Sequence, residues 1–448
     1  MAIKSNTIYE CSKCGAQYPK WQGRCSECGA WSTIGESVAA VISEQAVLAK
    51  PAQVVDFSQV EAKDVERITT GINEFDRVLG GGIVPGSLVL LGGEPGIGKS
   101  TLVLQVISRL LEGEISALPA GGRESRLQNV VYVSGEESAE QIKLRFDRLG
   151  LKAKNLKFLN ETEIEIVCAT IRKEKPQVAI IDSIQTMYSG ELPSESGSVN
   201  QIRACTAKLM KVAKENKISI FVIGHVTKEG VVAGPKTLEH LVDTVLYLEG
   251  DRYHDLRILR TVKNRFGPTN EIGVFEMTSQ GLAEVKNPSQ IFIDKAKPAR
   301  PGVATTCVIE GSRPFLIEVQ ALVSKTAFGY PQRKASGFGL NRLQLFLAVL
   351  EKRYGYRFGD QDVFINVSGG LKIKEPACDL AVCIALISAL KNTTIKSGTV
   401  IFGEVSLSGE VRKASQQERR VSEAKGLGYD NVVSDVDDIS KAAVAALS

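Results

Sequence analysis

Residues 88–101 read LVLLGGEPGIGKST, with G-x-x-x-x-G-K-S at their centre. The apolar run Leu88 to Leu91 leads into Gly93, Glu94, Pro95, Gly96, Ile97, Gly98, Lys99, Ser100 and Thr101. A helical apolar pattern (Leu102, Val103, Val106, Leu110) follows, so the glycines sit at a strand-to-helix junction, the context of a polyphosphate-binding loop. Glycine lets successive backbone N–H groups point inward, and the helix N-terminus adds partial positive charge. Lys99 is expected on the β- and γ-phosphates of a nucleoside triphosphate, and the Ser100 hydroxyl on Mg²⁺.

Other residues could complete a hydrolytic site. The apolar run Val130 to Val133 ends in SGEES, which delivers Glu136 and Glu137 to a strand end. A carboxylate there can orient and deprotonate the attacking water, the role given to Glu136, while Ser134 with Glu137 also fits a capping box. The run VAIID ends in Asp182, a Walker B acid that holds Mg²⁺ through water. ISIFVIGH ends at His225, either a γ-phosphate sensor or a satisfied strand-end histidine. In KNRFG, Lys263 and Arg265 alternate between two strand-like runs, and two readings stay open. They complete a neighbouring subunit's site as arginine fingers do, or they lie on a solvated hairpin edge.

A second chemistry lies near the N-terminus. Cys11, Cys14, Cys25 and Cys28 form two C-x-x-C pairs ten residues apart, a spacing for tetrahedral Zn²⁺. So short a segment cannot build a core, so metal supplies its folding free energy, and four thiolates leave no open position for catalysis. Lys20, Trp21 and Arg24 at its tip face DNA, a partner protein or only water.

These groups need a scaffold. With 448 residues, the chain exceeds one core, and four regions are expected. They are a zinc module (1–32), a linker (33–64), a mainly parallel α/β core (65–285) and a C-terminal α+β domain (286–448). Apolar runs alternate with helical patterns through the core, which argues for a parallel sheet with crossover helices. The basic residues of 199–215 read as a solvated helix face, and 115–128, 188–198 and 229–240 as loops. A net charge of +4 from 55 basic and 51 acidic residues decides nothing about nucleic acid. No run is long and apolar enough for a membrane span and the start carries no export signal, so the cytoplasm is expected and no membrane partner.

With these motifs in view, the chain resembles the bacterial RadA (Sms) family of DNA-repair proteins from end to end. KNRFG is the discriminating stretch. The resemblance implies a RecA-like ATPase between a C4 zinc finger and a Lon-protease-like domain. It implies a homo-oligomeric ring, hexameric by analogy with DnaB-type helicases, that hydrolyses ATP at subunit interfaces. It further implies binding of single-stranded and branched DNA and branch migration of intermediates made by the RecA recombinase. By the same analogy Lys263 and Arg265 reach the adjacent nucleotide, and the loops near 188–198 and 229–237 touch DNA.

The last third resembles the proteolytic domain of Lon, but Ala377 stands at the serine position and Glu418 at the lysine position. Without hydroxyl and base there is no nucleophile pair, and Cys378 has no paired histidine. The domain is expected to be a ring-forming and DNA-binding platform, with Arg333, Lys334, Arg412, Lys413, Arg419 and Arg420 as candidate phosphate contacts. Two other classes compete: a nucleotide-switched signalling ring like KaiC, and an ATP-driven protease.

Overall fold

The computed structural model describes residues 7–11, 17–18, 20–27, 29–38, 66–112, 129–152, 155–225, 238–250, 255–293, 298–327, 329–368 and 372–448. They form two compact units. One comprises Met1–Thr70, Gly82–Pro95 and Val106–Val245; the other comprises Gly71–Gly81, Gly96–Gln105 and Leu246–Ser448.

The N-terminal ribbon is an antiparallel sheet of β1 (Thr7–Cys11), β2 (Gln17–Tyr18) and β3 (Ile34–Val38), in the order β2-β1-β3. Among the described residues Cys11, Cys25 and Ile34 make its buried core, with Tyr9 and Tyr18 packed on it. β3 corrects the expected linker at 33–64: Thr7 pairs with Val38 and Cys11 with Ile34, so the ribbon extends past residue 32. Without Ile34 so small a core would have no aliphatic centre.

After helix α1 (Asn73–Leu79), closed by left-handed Gly80 at φ +80°, come β4 (Leu88–Gly93) and helix α2 (Lys99–Glu112). The parallel core continues with β5 (Val130–Ser134), α3 (Ala139–Arg148), β6 (Leu156–Asn160), α4 (Ile164–Glu174), β7 (Val178–Asp182), α5 (Val199–Asn216) and β8 (Ser219–His225). Within the first unit the strands run β4-β8-β7-β5-β6, all neighbours parallel. β4, β5 and β7 are buried along their whole length, as strands covered on both faces must be. The buried Asp243 carboxylate accepts the Leu88 N–H at 3.1 Å and pairs with Lys214 at 2.7 Å, just before β9 (Thr244–Gly250).

Two of the basic residues on α5 are therefore not merely solvated. Lys214 holds Asp243, and Lys208 pairs with Glu165 and, at 2.8 Å, with Glu191. Loop 188–198 is organised by the buried Gln201 side chain, which accepts from the Ser189 N–H and donates to the carbonyls of Ser189, Leu192 and Ser194. Burial pushes Glu165 up, but hydrogen bonds from Lys208 and Ser189 outweigh it and bring the carboxyl down to about 2.

In the second unit β10 (Leu256–Asn264), β11 (Ile272–Thr278) and β12 (Gly281–Glu284) form an antiparallel meander, the KNRFG bend joining the first two. Then follow α6 (Ser289–Phe292), β13 (Val303–Glu310), β14 (Arg313–Lys325), β15 (Arg333–Ser336), α7 (Leu340–Tyr354), β16 (Gln361–Val367), α8 (Asp379–Lys391) and β17 (Thr399–Ile401). The hairpin β18 (Glu404–Val405) with β19 (Val411–Arg412), helix α9 (Gln417–Gly426), β20 (Asn431–Val433) and α10 (Ile439–Ala446) complete the chain. The sheet order is β15-β16-β14-β13-β17-β20. α8 is buried from Asp379 to Ser388, apolar on every side as a central helix is.

One core holds Ile272, Val274 and Val285 together with Phe315, Ile317 and Leu343, so the packing does not divide at residues 285 and 286. Polar bonds follow the same line. Arg313 grips the buried Glu74 carboxylate at 2.7 and 2.9 Å, Arg260 pairs with Glu310 at 3.0 Å, and Ser312 donates to Glu271 at 2.7 Å. The β13–β14 turn is thereby bolted to the β10–β11 hairpin.

Candidate active site

Strand register does the first work. In parallel pairs Gly93 lies opposite His225, and Ser134 opposite Asp182. β8 separates β4 from β7, so four strands end at one edge carrying Gly93, His225, Asp182 and Ser134. Carboxyl ends of parallel strands are where α/β sheets take ligands.

Between β4 and α2 the loop adopts backbone that glycine permits, Gly96 at φ +76° and Gly98 at φ +113°. A side chain at Gly96 would meet nothing within 4 Å, whereas one at Gly98 would strike Met277 at 2.7 Å. Gly96 thus borders open space fit for a phosphate, and Gly98 is pressed against β11. Ile97 is buried and its carbonyl accepts from Arg257 Nε at 3.2 Å. Gln105 exchanges two hydrogen bonds with the Leu282 backbone and steadies the middle of α2. Lys99 is 4% exposed at the first position of that helix, with Ser100 and Thr101 half-buried after it. The loop fits a nucleoside polyphosphate: a buried cation at a helix N-terminus beside an open glycine concavity.

Asp182 is buried at the end of β7, and the Tyr132 hydroxyl donates to its Oδ2 at 2.5 Å. Burial and then the Asp182 charge push the Tyr132 phenol well up, so it stays a donor at neutral pH. Tyr132 does not stand out as a site residue in the sequence. Its signal was a tyrosine inside an apolar strand, because a buried phenol needs a partner.

Glu136 and Glu137 part company. The Ser183 hydroxyl donates to Glu136, and His225 Nε2 stands 3.7 Å from the same carboxylate oxygen. Glu137 forms an ion pair with Arg145 on α3. The expected capping box at Ser134 is corrected: its hydroxyl accepts the Glu137 N–H at 2.9 Å, but α3 starts at Ala139. Ser138 and Gln141 make the reciprocal cap, because four residues still turn before helical geometry begins. Gly135 between these groups has no room for a side chain, since a Cβ would stand 2.4 Å from the Thr186 hydroxyl.

Lys263 is the last residue but one of β10 and Arg265 lies just past its end, half-buried to exposed in the bend. Asn264 shapes that bend: its amide donates to the Leu79 carbonyl at 3.2 Å and its oxygen accepts the Phe266 N–H at 3.0 Å. Arg257, which touches the phosphate loop, is six residues before Lys263 on the same strand. At about 3.3 Å per residue that separates their backbones by roughly 20 Å, beyond the reach of a lysine side chain.

In the ribbon, Cys11 and Cys25 are brought together as buried core; Cys14 and Cys28 lie outside the described residues. Thr33 Oγ1 is 3.2 Å from Cys11 Sγ and the Tyr18 hydroxyl 3.1 Å from Cys25 Sγ, outer contacts suited to metal-bound thiolates. The side-chain contact with Cys25 raises the Tyr18 phenol above its ordinary range. The thiols present fit Zn²⁺. The loops at 115–128 and 229–237 likewise fall outside the described residues.

Ala377, at the position expected for the Lon-type serine, is buried in a 3-10 turn, its carbonyl accepting from the Gly403 N–H at 2.7 Å. Burial pushes the Cys378 thiol far above its ordinary range, which keeps it protonated and unreactive. Glu418 is exposed on α9. Two candidate phosphate contacts are corrected. Arg420 is fully buried, paired with Glu375 and donating to the Ser415 carbonyl at 2.8 Å. Arg333 spends its guanidinium on backbone carbonyls, including Phe358 at 2.6 Å. Lys334, Arg412, Lys413 and Arg419 remain exposed.

Asp379 follows, 2% exposed and paired with Arg342 at 2.8 Å, yet burial pushes its carboxyl up to about 7 from 3.8. The folded chain therefore binds an extra proton between those values, and stability falls as pH rises through that window. The loss should be on the order of a few kcal/mol by pH 8. Denaturant titrations at intervals from pH 4 to 8 should show the fall, and Asp379→Asn should flatten it; a native profile already flat would remove the assignment.

Family models match three segments: an AAA domain over residues 55–231, a rubredoxin metal binding domain over 9–36 and subunit ChlI of Mg-chelatase over 343–437. Among solved structures an isolated ATPase domain is similar at 15% identity and TM-score 0.41, covering 50% of this chain and 93% of that one. DNA repair protein RadA of Bacillus subtilis is 47% identical over 436 residues, 96% of this chain and 92% of that relative. DNA repair protein RadA of Pseudomonas aeruginosa is 46% identical over 448 residues, 99% and 96% of the two chains. The RecA-like P-loop core, N-terminal zinc ribbon and C-terminal Lon-like domain expected from the motifs are the architecture of the chain. At that identity over nearly the whole length of both proteins, the chain belongs to the RadA family of DNA repair proteins.

Proposed function

We propose that the chain is an ATP-driven motor that tracks single-stranded DNA and promotes branch migration of RecA-made recombination intermediates, working as a hexameric ring in the cytoplasm. ATP lies on Gly93 to Thr101, with Lys99 on the β- and γ-phosphates and Ser100 and Asp182 as the residues for Mg²⁺. Mg²⁺ supplies charge neutralisation on the transferred phosphoryl group. Glu136 positions and deprotonates the attacking water, Ser183 and His225 holding its carboxylate in place. Lys263 and Arg265 serve the nucleotide of the neighbouring protomer. The zinc ribbon and the Lon-like domain are accessory, the latter without peptidase chemistry. By function the chain divides into a zinc ribbon that reaches Val38, a connecting segment to residue 64, the ATPase core to residue 285 and the C-terminal domain.

The observation that carries this reading is the span of β10. One end touches the chain's own phosphate loop through Arg257 and the other presents Lys263 roughly 20 Å away. A cation so placed is out of reach of the Ile97 turn that Arg257 holds and suits a site shared between copies. The buried Ala377 and protonated Cys378 support the loss of peptidase chemistry.

The test is ATP turnover with and without single-stranded and branched DNA, beside a mass measurement of the assembly. Turnover should rise with DNA and the mass should be that of a ring. Glu136→Gln should keep nucleotide binding and lose at least about a hundredfold in turnover. A monomer with ATP and DNA both present ends the proposal. Turnover indifferent to DNA would favour the signalling ring.

A further inference from the structure

The chain of 448 residues has two tryptophans, Trp21 and Trp31, and both are in the N-terminal ribbon. They are 62% and 71% exposed, while the ribbon's core is made by Cys11, Cys25 and Ile34. Neither indole is spent on the fold, yet neither is loose. Trp21 Nε1–H donates to the Ile34 carbonyl at 3.0 Å. The Arg24 guanidinium lies over the Trp31 ring at 5.6 Å and is itself tied to the Gly29 carbonyl at 3.1 Å. Arg24 and Trp31 pair across an antiparallel bridge, with the Ser32 N–H donating to the Gly23 carbonyl at 2.8 Å. The two rings thus rise from one short two-stranded piece. Gly23 lies beside the first, the place of its missing Cβ 3.8 Å from the tip of the Trp21 ring.

Large aromatic rings pinned by hydrogen bonds and left in water present stacking faces at little entropic cost. Each also has a cation beside it: Lys20, exposed, precedes Trp21, and Arg24 covers one side of Trp31. Aromatic faces interleaved with cations are how proteins hold unpaired nucleotides, the rings taking bases and the cations phosphates. From this geometry we infer that the ribbon is a base-stacking platform for single-stranded DNA, with Trp21 and Trp31 each receiving a base and Lys20 contacting the backbone. The inference rests on the DNA-tracking reading above and adds the surface that first grips the strand.

The test uses the full-length, zinc-loaded chain. Because the ribbon holds every tryptophan, intrinsic indole emission reports on it alone. A fluorescein-labelled single-stranded oligothymidylate gives total binding by anisotropy, and the unlabelled oligomer gives the emission change. Emission should be quenched in step with binding. Trp21→Ala and Trp31→Ala should each weaken binding about tenfold, and Trp21→Phe should restore most of it. Zinc content must match the parent, which separates a lost stack from an unfolded ribbon. Binding at full strength with unchanged emission overturns this inference and leaves the motor reading standing. Emission that responds only to an added recombinase also overturns it, in favour of a protein-docking face. Absence of any oligonucleotide binding overturns both.

Discussion

Lys99→Ala is expected to all but abolish ATP turnover, with kcat falling by about a thousandfold, the upper end of the scale for removing one preorganised charge-stabilising donor. Lys99 is 4% exposed at the first position of α2, so no neighbouring solvated cation can substitute. The loop should survive the change: Arg257 still holds the Ile97 carbonyl and Gln105 still clamps Leu282. A far-ultraviolet spectrum and melting curve should therefore be close to parental, while binding of a fluorescent ATP analogue is weakened. Parental hydrolysis by this variant would mean that the phosphate site lies elsewhere.

Lys263→Ala should behave differently, leaving nucleotide affinity within about twofold but lowering DNA-stimulated turnover by about a thousandfold or more, the range of a missing arginine finger. The decisive measurement is a mixture. If Lys263 acts on the next protomer's nucleotide, a ring combining Lys99→Ala and Lys263→Ala chains contains some sites with both lysines intact, and part of the turnover returns. Two inactive preparations that stay inactive on mixing, in a mass-verified ring, argue for a site completed within one chain. The bonds that bolt the β13–β14 turn to this hairpin also reach the helix beside it. Arg313 holds Glu74, and Asn264 ties the bend to the end of the helix that carries Glu74.

Much of the site was legible because local rules suffice for it. A glycine loop between an apolar strand and a helix needs only backbone conformation and spacing, and Gly96 and Gly98 do take the left-handed region in the fold. Strands ending in Asp182 and His225 could be read from apolar runs stopped by a polar residue. The same holds for α1, whose Phe75, Val78 and Leu79 are buried and whose end is a left-handed glycine.

Where a polar side chain finds its partner was a different matter, because that depends on residues far away along the chain. Ser183 donates to Glu136 and Arg145 pairs with Glu137, contacts no local pattern announces, and Tyr132 met Asp182 only once β5 and β7 lay side by side in register. Arg420 read as a surface cation and is fully buried, since Glu375, 45 residues earlier, lies against it. Lys208 read as solvated and instead ties Glu165 and Glu191 around an ordered loop. By itself the sequence determined which residues could bind phosphate and zinc, for those capacities reside in residue type and near-neighbour spacing. Tertiary structure alone decided which charges are shared and which face water, because burial and pairing are set by strand order and by contacts that no local pattern encodes.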